Sequence, residues 1–311
     1  MRGPRRTWLL GVGAAVLVTA TLPATVFAAG ARRVSVAVAE PDIAAIVRTV
    51  GGGDVEVFSL FEGCILRKDL MVEPGVLERL ARADAVVWTG FLNESAAITA
   101  SLTGRAKTGE RPKAGTPPWI DVSRGVTYVN VPTSTCFGYV DPTLAAGDPF
   151  FWLNPENGGV IAHNVAEGLG DLRPEARPTY LKNAAEFSSA LEKDILRWKE
   201  ALKPLAHLRV FCTQCGWQNL SKLKGPSIVV CKSSPGELPT PAILVKHVME
   251  MKPEVILLDP NTPAEYGKAF REQPGLKVME VASSIERVPE ATSYSALFDN
   301  MVRVLQEAAR R

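Results

Sequence analysis

The sequence predicts an α/β protein of two doubly wound parallel-sheet lobes, joined by a long backbone helix, with a cleft between the lobes. Three observations predict it. Strand-like apolar runs alternate with helix-like amphipathic runs in both halves, the pattern of parallel sheets covered by helices. Between residues 178 and 203, Leu181, Ala184, Phe187, Leu191, Ile195, Trp198 and Leu202 recur every three or four positions as one apolar stripe. A helix over that span, at ~1.5 Å per residue, is a rod of about 39 Å, too long for a simple crossover and suited to a spine between lobes. Finally, Cys212, Cys231 and Asp259 fall at or just past expected strand ends, and Cys64 lies shortly past another. Ligands of doubly wound sheets bind beyond those carboxyl ends.

The chain of 311 residues has room for two domains and a large core. A formal net charge of +2 gives no electrostatic reason to expect nucleic acid or a membrane surface as partner. The first residues stand apart. Arg2, Arg5 and Arg6 precede an apolar run over 8–27, and Val26-Phe27-Ala28 offers a small-residue cleavage site. Residues 1–29 therefore read as a signal peptide, which implies export to the periplasm. The run is nearly long enough to span a bilayer, so an uncleaved membrane anchor is the alternative. Arg5-Arg6-Thr7-Trp8-Leu9-Leu10 resembles a twin-arginine signal, and the choice between that route and the general secretory one stays open.

The mature chain divides into an N-terminal lobe (30–175), the linking helix (176–205) and a C-terminal lobe (206–311). In the first lobe, strands are expected over 34–39, 55–60, 85–89 and 119–122. Helices are expected over 43–49, 74–83, 93–102 and 157–168. Two loops break the pattern, one with Cys64, Arg67 and Lys68, the other with Cys136. The second lobe repeats the logic, with strands over 208–212, 227–231, 254–258 and 276–281. Its helices are expected over 217–223, 241–251, 263–271 and 293–309. Thr240 is placed to cap the second of these, Pro241 takes its first turn, and Ile243, Leu244, Val248 and Met251 are expected to face inward.

One stretch is too aromatic for a surface loop: Asp148-Pro149-Phe150-Phe151-Trp152-Leu153-Asn154-Pro155. Together with Ala83-Asp84-Ala85-Val86-Val87, Tyr180 and Asn183 in the long helix, Ser234-Pro235-Gly236-Glu237-Leu238-Pro239 and Tyr294 near the end, it resembles the zinc- and manganese-type solute-binding proteins of ABC transporters. The resemblance covers roughly residues 34–309. It implies a monomeric receptor that captures a metal ion between its lobes and passes it to a membrane permease, with no chemistry on the cargo. In that family three histidines and a carboxylate usually hold the metal. Carried over position by position, they fall on Lys68, Phe150, Cys212 and the neighbourhood of Ala282, with Glu280 two residues away. The three histidines present, His163, His207 and His247, lie elsewhere and read as surface or partly buried structural residues.

Three readings of the site follow. Cys212, Cys215, Cys64 and Cys136, with Glu280, suit a divalent or thiophilic metal ion. Their structural alternative is disulfides, which export favours. Lys68, Phe150, Trp217 and Asp259 suit a cleft for a small organic or anionic ligand. Cys212-Thr213-Gln214-Cys215 also has the spacing of a dithiol oxidoreductase motif, without the topology that normally surrounds it. Neither a nucleophile elbow nor a phosphate-cradling loop is present, and the chain is expected not to be an enzyme.

Overall fold

The computed structural model describes residues 32–60, 72, 74–90, 98, 118–129, 148, 150–213, 216–230, 240–260, 262–282, 284–285 and 291–310. The signal segment, the expected helix over 93–102 apart from Ile98, the Lys68, Cys64 and Cys136 loops, Cys215, Cys231 and residues 234–239 lie outside them. Residues Arg33–Arg311 make one compact unit.

Two four-stranded parallel sheets organise it. The first holds β1 (Val34–Val38), β2 (Val55–Ser59), β3 (Ala85–Trp88) and β4 (Trp119–Asp121) in the order β2-β1-β3-β4. The second holds β5 (Arg209–Cys212), β6 (Ser227–Val230), β7 (Val255–Leu258) and β8 (Lys277–Glu280) in the order β6-β5-β7-β8. The two orders are equivalent, so each half is wound the same way. The central strands β3 and β7 are apolar and buried at every position because both of their faces are covered.

The helices of the first half are α1 (Pro41–Gly51), α2 (Pro74–Ala81) and α3 (Gly158–Leu172). The spine, α4, runs Arg177–Leu202, within one residue of its expected bounds. Tyr180, Ala184, Leu191, Trp198 and Leu202 are buried, and Leu181, Phe187 and Ile195 pack against the same core. Near its start, Asn183 Nδ2 donates to the Val50 carbonyl of α1 at 2.8 Å. Near its end, Trp198 stacks on Phe298, with ring centroids 5.0 Å apart. The rod thus grips both halves.

The second half adds α5 (Pro241–Glu250), α6 (Ala264–Arg271) and α7 (Tyr294–Arg310). Residues Trp217–Leu223 form a 3-10 helix. Two expectations about α5 need correction. Thr240 precedes the helix, but its side chain makes no capping hydrogen bond. Ile243 is 55% exposed; the buried face is Leu244, Val245 and Val248, packed with Phe211 and Phe270. At about 100° per residue, Ile243 lies one step off that face.

Candidate functional site

In each sheet the strand order reverses between the two central strands, β1 and β3 or β5 and β7, which is where doubly wound sheets place their ligands. Past β1 come buried Ala39, Glu40 and Asp42, and past β3 buried Thr89. In the second sheet, β5 ends at Cys212 and β7 leads into Asp259. Thr213 joins these loops. Its amide donates to Leu257 O at 3.1 Å, and its hydroxyl accepts from the Asp259 amide at 3.2 Å and lies 2.7 Å from the Thr262 hydroxyl.

The aromatic stretch fills the seam between the halves. Its turn is fixed by its own polar side chains. Asp148 accepts from the Phe150 amide at 2.9 Å, and Asn154 caps the next turn by accepting from the Glu156 amide. Asn157 donates to the Phe151 carbonyl at 2.8 Å and exchanges hydrogen bonds with the Thr127 backbone. Held this way, Phe150, Phe151 and Trp152 are all buried, and Phe150 meets Trp152 edge-on at 5.4 Å. The ring of Phe150 packs on Gly216, at the start of the Trp217–Leu223 turn. Trp217 is buried and meets Phe298 edge-on at 6.4 Å.

Asp42 is the polar centre of the seam. Its carboxylate accepts from Trp152 Nε1 at 2.9 Å, from Ser284 Oγ at 2.9 Å and from the Ile285 amide at 2.7 Å. The Tyr294 hydroxyl donates to the Trp152 carbonyl. Burial, and then the nearby Asp42 charge, push the Tyr294 hydroxyl well above its ordinary pKa.

The residues singled out from the sequence separate into groups. Cys212, Phe150 and Trp217 share the main core cluster, and Cys212 is wholly buried. Asp259 is buried at the end of β7. Glu280, expected as the carboxylate of the site, ends the edge strand β8. As the last residue of β8 its side chain faces solvent and pairs with Arg271 at 2.9 Å. His163 and His207 are exposed, and His247 is half-exposed beside Glu250. Cys64, Cys136, Cys215 and Lys68 lie outside the described residues. Among the described residues, no three His, Cys, Asp or Glu side chains stand together as a metal would need.

Two features escaped the sequence reading. Asp42 looked like an ordinary first-turn acid behind Pro41, and only its place just past a buried strand could have marked it. The other is a set of buried polar atoms without protein partners among the described residues: Asn154 Nδ2, Trp217 Nε1, Gln218 Nε2 and Asn219 Oδ1. They lie on the segments that carry Phe150's turn and Gly216, and three of the four are donors.

The family profile described as the periplasmic zinc-uptake complex component A matches residues 36–308. The chain is 24% identical over 250 residues to the metal ABC transporter substrate-binding lipoprotein FimA of Streptococcus parasanguinis, covering 73% of this chain and 77% of that protein. It is 25% identical over 170 residues to the manganese ABC transporter substrate-binding lipoprotein PsaA of Streptococcus mitis, spanning 53% of this chain and 50% of that one. The crystal structure of ZnuA superposes with a TM-score of 0.70 at 20% identity, over 90% of this chain and 99% of that one, a likeness of fold. With the two-sheet fold, its spanning helix and a profile match over most of its length, the chain belongs to the periplasmic zinc-uptake component family, the non-catalytic metal-type solute-binding proteins of ABC transporters.

Proposed function

We propose that this chain is the exported receptor of an ABC importer, that it captures a thiophilic metal ion between its halves, and that it delivers the ion to a membrane permease. Residues 1–29 serve as its signal peptide, 30–175 and 206–311 as its lobes, and 176–205 as the link. The observation that carries the reading is the place of Cys212. It ends β5, where the strand order of the second sheet reverses, and shares a core cluster with Phe150 and Trp217. A thiolate there favours Cu(I) or Zn(II) over manganese, which prefers oxygen donors. Cys64, Cys136 and Cys215 complete the sulfur set. The test is metal analysis of protein purified from the periplasm under reducing conditions, followed by titration with Cu(I), Zn(II) and Mn(II). Bound soft metal that is lost in Cys212→Ser supports the reading. Absence of metal, with no thermal shift on any titration, sinks it.

A second reading rests on the donors of Asn154, Trp217 and Gln218, which have no partner among the described residues. Buried donors call for acceptors, which suits a small organic or anionic ligand with carbonyl or carboxylate oxygens. Stabilisation by such a compound, undiminished in Cys212→Ser, selects this reading over the metal.

A further inference from the structure

The bonds to Asp42 cross the molecule. Asp42 sits in the first turn of α1, against the first sheet, while Ser284 and Ile285 follow the last strand of the second sheet, 242 and 243 positions further along the chain. Trp152, 110 positions away, belongs to the aromatic stretch between them. The carboxylate is 1% exposed and accepts from an indole N–H, a hydroxyl and a backbone amide at 2.7–2.9 Å. Bonds to an ionised acceptor are the strong class of hydrogen bond, and a water-excluded setting strengthens them further. Tyr294, which opens α7, adds a fourth tie through the Trp152 carbonyl.

From this geometry we infer that Asp42 is a latch that holds the two halves shut without cargo. The three donors named here are all protein groups, and two of them come from the far half. Drawing the halves apart takes Ser284 Oγ and the Ile285 amide off the carboxylate together, leaving a buried charge short of two donors. Closed is then the resting form of the receptor. The permease must pull it open, instead of the cargo pulling it shut. Trp152 is the part of the latch that reports to the seam, because its ring also packs against Phe150 and Phe151. The inference holds whichever cargo the receptor takes.

Cys212, wholly buried in β5, is a built-in reporter of opening. The mature chain, reduced and freed of metal with a chelator, is pulsed with N-ethylmaleimide, and the peptide carrying Cys212 is quantified by mass spectrometry. Wild type is expected to label slowly with no metal present. Asp42→Asn, which turns one acceptor into a donor facing other donors, is expected to label about tenfold faster, the mark of a shifted open population. Ser284→Ala removes a single bond and is expected to fall between them. It also keeps the test decisive if Asp42→Asn does not fold, which circular dichroism melting reveals. Solution scattering of wild type with and without added zinc is expected to give one radius of gyration. Rapid labelling of metal-free wild type, variants that label at the wild-type rate, or contraction on adding zinc would each overturn the latch.

Discussion

Gly216 exists to make room for Phe150. A Cβ at Gly216 would lie 2.7 Å from the Cβ of Phe150 and 2.7 Å from a methyl of Leu153, and its backbone stands at φ +100°. Gly216→Ala is therefore expected to destabilise by about 2–4 kcal/mol, combining overpacking with a left-handed backbone. In the Phe150→Gly background the clash with the Cβ and Cγ of residue 150 is gone, while the Leu153 contact and the backbone share remain. Urea denaturation of the two single variants and the double variant measures the coupling. Strict additivity would mean that the contact does not matter.

Cys212 is both a core residue and the proposed metal donor, so one substitution cannot separate the two roles. Cys212→Ala keeps an apolar group and is expected to cost about 1 kcal/mol of stability. Cys212→Ser buries a hydroxyl and is expected to cost about 1–3 kcal/mol. Both are expected to abolish metal uptake alike. If alanine retains the metal, Cys212 is packing alone.

Buried tyrosines set the alkaline limit of the fold. Tyr294 is pushed up by burial and then by Asp42, and Tyr180 by burial and then by its hydrogen bond to Asp54. Both stay neutral in the folded state while the unfolded chain ionises at its ordinary value of 10.0. Below that pH the two states bind equal protons and stability is flat. Above it the unfolded state loses protons first, and stability falls by about 1.4 kcal/mol per pH unit for each such tyrosine. Tyr294→Phe is expected to remove one increment of that slope, read from denaturation midpoints between pH 9 and 11.

Asp299 carries two bonds of unequal worth. It accepts from Trp198 Nε1 and from Arg197, each at 2.7 Å. Trp198 is wholly buried, whereas the Arg197 side chain is half-exposed. Asp299→Ala strands the indole N–H and is expected to cost about 1–3 kcal/mol. Arg197→Ala loses an exposed pair and is expected to cost less than about 1 kcal/mol. Comparable losses in chemical denaturation would refute the distinction.

The fold was legible because its signals are local. The stripe of α4 repeats within a few residues, and the apolar runs of β3 and β7 need no partner to be recognised. Phe150 was also legible as an anomaly, since its neighbours define the position it occupies. Failures came where the deciding contact is distant. Nothing near Pro41-Asp42 reveals that Trp152 and Ser284 will close over the carboxylate. The sequence around Glu280 likewise hides Arg271, which reaches it only once α6 packs beside β8. Ile243 was misplaced because two adjacent residues, Leu244 and Val245, together take the buried face that the periodicity gave to it.

A straight rod seated in two halves also limits what can pass between them. Bending α4 would break its backbone hydrogen bonds, so the sheets can only rock through small angles about it. Any wider opening costs broken helix bonds, whatever the cargo.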